Sequence, residues 1–277
     1  GKLYEACCRQ GADVRVVGIP KTMDNDIAVT DHAPGYGSAA RYMAGSVAEV
    51  CCDVRGLPIH VVVIEAMGRS AGWVAAASAL AEECGTGGPD LIYLPERAFD
   101  EARFLSDVRQ LIAQKGCGVV VASEGLCGPD GAPLVAPVMT VGRATYFGDV
   151  SAHLAQLIVQ KLGYKARSEK PGLLGRASIA WQSEIDRQEA ELAGREAVKA
   201  ACAGATGVMV GFRRHEGAVY AVSPEYIPIE QVMLAEKKMP EEFINQAGNG
   251  VTESFKAWCR PLVGPLPRFV SFQKGAG

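Results

Sequence analysis

Short β-branched runs alternate with longer stretches of helical period along this chain, and few folds accept that pattern. The runs are VRVVGI (14–19), HVVVIE (60–65), LIYL (91–94), GVVVAS (118–123) and GVMVGF (207–212). The periodicity predicts helices over 2–10, 36–54, 71–84, 100–115, 150–162, 186–203 and 252–259. This alternation specifies an α/β fold with a mainly parallel sheet, because parallel strands need a crossover long enough to hold a helix. HEG at 215–217, followed by AVYAV (218–222), predicts a hairpin partner for the fifth run. Proline and glycine thicken after residue 260, so an irregular tail is expected there.

A chain of 277 residues can bury one large core or two modest ones. Its formal net charge of −3 gives no electrostatic footprint for nucleic acid. No apolar run approaches the ~20 residues of a membrane helix, so neither nucleic acid nor a membrane is an expected partner. The nine cysteines include no C-x2-C pair and read as reduced thiols of a cytoplasmic protein. The opening GKLYEACCRQG has no signal-peptide pattern and reads as a helix already under way. His32, His153 and His215 show no ligand spacing, and His60 stands out only by opening a strand.

Polar residues collect where three of the runs end. The first leads into Lys21, Thr22, Asp24 and Asp26, the second into Met67, Gly68 and Arg69, and the fourth into Glu124. Ligands of open parallel sheets bind beyond the carboxyl ends of the strands, so these three exits predict one site. Alone, Asp24 and Asp26 read as turn or cap residues. An EF-hand is excluded, since Ala28 takes a ligand position and the glycine is missing. Beside Lys21 and Thr22, however, a carboxylate can take a proton from a hydroxyl while the lysine faces a phosphate. The second carboxylate can help hold Mg2+. Gly68 permits close backbone approach, and Arg69 offers a fork for phosphate oxygens. Glu124 reads as a cap or as an acceptor for sugar hydroxyls. KARSEKPGLLGR (165–176), with Lys165, Arg167, Lys170 and Arg176, is the densest basic cluster and reads as an anion-binding loop. GYGSAA (35–40) fits a dinucleotide fingerprint, but it follows TDHAP rather than a strand.

GIPKTMDNDI, EAMGRSAGW, the spacing to SEGL, LGRAS, SEIDRQEAELAGREAV and the stretch from MVGF to VTESF together resemble the phosphofructokinases. The similarity is greatest to the pyrophosphate-dependent bacterial branch. It implies two Rossmann-like three-layer α/β/α domains with mainly parallel sheets, the first of them incomplete in this chain. The larger, donor-side domain would comprise 1–34 and 178–277, and the smaller, sugar-phosphate domain 35–177. The implied activity is phosphoryl transfer to the 1-hydroxyl of fructose 6-phosphate, a cytoplasmic step of glycolysis. Asp24 would be the general base, Asp26 would lie near Mg2+, and Thr22 would line the transferred phosphoryl group. Met67 and Gly68 would touch the sugar, Arg69 would face the phosphates, and Glu124 would accept sugar hydroxyls. Lys170 and Arg176 would hold the 6-phosphate.

Lys21 bears on the donor. Pyrophosphate-using members resemble this chain in placing a lysine there, whereas many ATP-using members have glycine, so pyrophosphate is expected and ATP is the alternative. His60 stands where many relatives have an arginine that reaches a neighbouring subunit's substrate phosphate, and Ile179 lies near a second such position. The family's glycine-rich donor motifs would precede residue 1, so the chain is expected to be part of a longer protein and inactive alone. A homodimer or homotetramer with sites at an interface is implied. Two other readings stay open: a non-catalytic regulatory paralogue that binds sugar phosphate, and a nucleotide-binding oxidoreductase resting on GYGSAA.

Overall fold

The computed structural model describes residues 1–141, 144–146, 148–232 and 236–270, and the side chains of 140–147 are outside that description. Two main sheets organise the chain. One contains β2 (Val61–Ala66), β3 (Leu91–Tyr93), β4 (Gly118–Ser123) and β7 (Ala166–Glu169), all parallel, in the order β3-β4-β2-β7. The other orders β1 (Val17–Gly18), β8 (Val208–Arg214) and β9 (Val222–Pro228), with β1 parallel and β9 antiparallel to β8. Between β4 and β7, β5 (Met139–Val141) pairs antiparallel with β6 (Ala144–Tyr146).

Period-two alternation explains the first sheet. Val62, Ile64, Val119 and Val121 face a core built with α2 (Tyr36–Gly56), α3 (Trp73–Ala77) and α9 (Glu253–Val263). Val61, Val63, Val120 and Ala122 face the opposite core, against α4 (Glu101–Lys115) and α5 (Val150–Leu162). Helices therefore cover both faces, which is why these strands read as unbroken apolar runs. The second sheet has a smaller core, in which Val210 and Phe212 pack on Ala193 and Ala197 of α7 (Glu184–Cys202).

α1 (Lys2–Gln10) and α5 match their expected bounds, each stopped by a left-handed glycine, Gly11 or Gly163. The expected helix over 71–84 divides into α3 and a 3₁₀ turn over Ser78–Cys84. Ser78 Oγ donates 2.5 Å back to the Ala75 carbonyl and so competes with the regular ladder. The expected basic loop at 165–176 is instead β7 followed by α6 (Leu173–Ala177). β7 is an edge strand, and charged residues suit an edge, so its composition hid it. The hairpin partner is β9 rather than 218–222. Pro224 and Pro228 masked it, and prolines are tolerated because β9 also lies at an edge. A last short helix, α8 (Ile229–Val232), follows it. The tail expected to be irregular from 260 begins as α9, which continues through Pro261 to Val263, and 271–277 lie outside the described residues. No helix among the described residues is long and apolar enough to cross a membrane.

Candidate active site

Register builds half of the site. β2 and β4 pair in step to Ala66↔Ser123, so Met67-Gly68-Arg69 leaves one strand beside Glu124 leaving the other. Glu124 Oε1 accepts the backbone N–H groups of Gly68 and Arg69, both at 3.1 Å. Gly68 has φ +148°, and a Cβ there would stand 2.6 Å from the Ala71 carbonyl oxygen, so glycine is required. Burial pushes the Glu124 carboxyl above its ordinary pKa, against the pull of those two N–H groups.

The other half leaves β1. Thr22 and Gly35 form a parallel bridge that closes residues 22–35 into a loop, and the Thr22 N–H donates 3.2 Å to the Pro34 carbonyl. Inside it Thr22 Oγ1 accepts the Asp24 N–H at 3.1 Å and donates 2.9 Å to Asp26 Oδ1. Asn25 between the carboxylates is left-handed, φ +55°, a conformation that asparagine accepts more readily than most residues. Its side chain is buried and has no hydrogen-bond partner among the described residues.

Arg69 joins the halves. Its Nε donates 3.2 Å to Asp24 Oδ2, and its Nη2 donates to Asp26. Burial, and then the charge of Asp26, raises the Asp24 pKa, while Arg69 and Lys21 oppose the shift. A carboxylate of raised pKa beside a half-exposed arginine suits a general base that a phosphate can uncover by competing for the arginine.

Thr22, Asp24, Asp26, Gly68, Arg69 and Glu124 thus meet in one cluster. Lys170 lies beside it, its Nζ 2.6 Å from Glu65 Oε1 and 3.5 Å from the Gly148 carbonyl. Exposed Lys21 and Arg176 line an adjoining cavity of about 480 Å³ with Met23, Asp186 and Arg187. Met67 faces a small cleft with Met23, Tyr42 and Glu65. His60 lies apart from all of these. It precedes β2 at the opposite end of the sheet, accepting the Lys165 N–H at 3.0 Å and packing on Tyr164. GYGSAA starts α2 after an isolated bridge, away from any strand-to-helix turn.

Sequence reasoning missed Glu65. It is buried, receives Lys170, and accepts the Ser151 N–H at 3.1 Å. The available signal was a carboxylate inside an otherwise apolar strand, VVVIEA. Among the described residues no group of three or more His, Cys, Asp or Glu side chains could hold a metal ion alone. The two neighbouring carboxylates Asp24 and Asp26 still fit Mg2+, which commonly takes one or two carboxylates with phosphates and water.

The chain as a whole is similar to known proteins. The sequence pattern of the family Phosphofructokinase matches residues 2–201. The chain is 39% identical over 282 residues to the pyrophosphate–fructose 6-phosphate 1-phosphotransferase of Xanthomonas campestris pv. campestris, covering 96% of this chain and 67% of that protein. It is 35% identical over 272 residues to a sulfofructose kinase of Alkalicoccus urumqiensis, covering 96% and 68% respectively. The crystal structure of a pyrophosphate-dependent phosphofructokinase from Nitrosospira multiformis superposes with a TM-score of 0.84 at 32% identity, over 99% of this chain and 66% of that one. The chain therefore spans about two thirds of the length of these three proteins.

Proposed function

This chain belongs to the phosphofructokinase family, and from that premise we propose that its protein transfers a phosphoryl group from pyrophosphate to the 1-hydroxyl of fructose 6-phosphate. The observation that carries the reading is Asp24, a carboxylate of raised pKa held by Arg69 where two loops meet. In the reaction Arg69 exchanges its two carboxylates for donor phosphate oxygens, which frees Asp24. Asp24 then takes the proton of the sugar hydroxyl as the new P–O bond forms in line with the one that breaks. Lys21 and Arg69 balance charge on the donor, and Thr22 orients Asp26 and the backbone of Asp24. Mg2+, held by Asp26 together with donor phosphates, would neutralise charge on the transferring group.

Glu124 accepts sugar hydroxyls beside Met67 and Gly68, and Lys170 and Arg176 hold the 6-phosphate. The division into 1–34 with 178–277 against 35–177 belongs to this reading. All strands of the four-stranded sheet fall in the second span, and those of the three-stranded sheet fall in the first. All nine cysteines are free thiols, which supports a cytoplasmic location. His60, remote from its own cluster, supports a homodimer or homotetramer in which it approaches a neighbour's substrate.

His60 also supports a second reading for the acceptor. A sulfonate carries one negative charge where a phosphate carries nearly two, so a site with histidine in place of an arginine suits a sulfofructose. Assays of the full-length protein decide among these. Fructose 6-phosphate and a sulfofructose are each offered with pyrophosphate and with ATP, and turnover is expected with fructose 6-phosphate and pyrophosphate. Turnover with ATP alone would move the donor. Turnover of the sulfofructose alone would move the acceptor. No transfer from either donor would leave the non-catalytic paralogue.

A further inference from the structure

The two loops of the cluster come from different sheets, and half-exposed Arg69 is a weak tie between them. A stronger one lies behind. Ile27 and Glu236 form an antiparallel bridge, and the Lys237 N–H donates 2.9 Å to the Asp26 carbonyl. The Lys237 side chain then reaches along the same loop, where its Nζ donates 2.9 Å to the Thr30 carbonyl and also to that of Asp31. The same residue holds the arginine side. Trp73 Nε1 donates 3.1 Å to the Lys237 carbonyl, and the ammonium sits 4.9 Å from the centre of the Trp73 ring. Its neighbours repeat the pattern. Glu236 accepts from Ser70 Oγ at 2.5 Å, and Met239 N and Gly72 N share Glu96 Oε1 at 3.1 and 2.8 Å.

Lys237 has no carboxylate partner among the described residues, so its ammonium serves backbone carbonyls rather than an ion pair. Burial lowers its pKa to about 8, opposed by the charge of Asp31. Packing alone would be met by methionine at no such electrostatic cost. We propose that Lys237 is a positioning residue for phosphoryl transfer, a clamp that fixes the Asp24–Asp26 loop against the Arg69 turn. The kinetic part of this inference rests on the phosphotransferase reading above. A misplacement of ~1 Å costs on the order of 10²-fold in rate, and that is the effect the clamp prevents.

The test compares Lys237→Met and Lys237→Arg in the full-length protein, by steady-state kinetics and by amide hydrogen exchange. For Lys237→Met, kcat is expected to fall ~10²-fold with KM for the sugar nearly unchanged. Exchange should quicken over 22–32 and 67–73 while β2 and β4 keep their protection. Lys237→Arg, which can still donate to two carbonyls, should recover most of that loss. Lys237→Gln keeps a donor on a shorter stem, is expected to fall between, and stands in if the methionine variant does not fold. Wild-type kinetics, exchange quickened across the whole molecule, or no recovery with arginine would overturn the clamp. If the wild type transfers nothing to fructose 6-phosphate, the functional reading fails separately. Exchange then decides alone: a local rise over both stretches supports the clamp, and unchanged protection there overturns it.

Discussion

The two supports of the site differ in kind. The Arg69–Glu124 side leaves a four-stranded parallel sheet whose valines and isoleucines are buried on both faces. The Asp24 side leaves a two-residue strand, in a sheet with a small apolar core, and is held largely by polar groups. His32 is buried between Asp31 Oδ2 at 2.8 Å and Glu189 Oε2 at 2.6 Å. Both neighbours can accept, so a doubly protonated ring satisfies both contacts. Arg214 and Trp258 Nε1 each reach Asp31 at 3.1 Å, and Tyr220 OH donates 2.5 Å to Glu189. Asp186 adds further acceptors for Gly35 N at 2.7 Å and Ser38 N at 3.0 Å. One side is therefore stabilised by removal of apolar surface from water, which is indifferent to pH. The other depends on charge, and its stability should change with protonation.

The largest expected effect tests whether the polar side carries the chemistry. Asp24→Asn should lower kcat on the order of 10³-fold or more with little change in KM for the sugar, read by steady-state kinetics of the full-length protein. In the wild type, kcat/KM should fall as acid protonates Asp24, at a higher pH than for an ordinary aspartate because burial and the charge of Asp26 raise that pKa.

Next comes the apolar side. Ile64→Ala should destabilise by about 2–5 kcal/mol, and urea unfolding should give the same loss across neutral pH. His32→Gln should cost about 1.5–3 kcal/mol and depend on pH. Burial opposes the charged ring, but Asp31 and Glu189 prevail and raise its pKa above 6.5. A raised folded value means that the contribution is full below about 6.5 and is lost as pH climbs through the higher pKa of the folded state. The penalty of His32→Gln should therefore shrink toward alkaline pH, and a penalty constant with pH would erase the contrast. The smallest effect belongs to Tyr220→Phe, about 1–2 kcal/mol by the same unfolding measurement, because Glu189 keeps His32.

The sequence revealed these two sides unequally. Strands β2, β3 and β4 of the four-stranded sheet were legible because burial on both faces leaves uninterrupted runs, and glycine stops marked the ends of α1 and α5. β7 and β9 were not, since edge strands tolerate the charges and prolines that normally argue against a strand. Within the site, Asp24, Arg69 and Glu124 were legible as charges at strand exits. Lys237 was not, because its partners Thr30 and Asp31 lie about two hundred residues away and are backbone carbonyls, which leave no trace in residue type. The His32–Glu189 pair was hidden similarly, by a separation of 157 positions.

Gly125, one residue beyond Glu124, abuts the turn of Arg69 so closely that a Cβ there would overlap the Arg69 carbonyl oxygen. The two turns therefore occupy a single volume and cannot drift independently. Any lineage that places a side chain at 125 must rebuild the turn at 69 in the same step. This interlock leaves change at the joint to the surrounding side chains, with the backbone of both turns held in place.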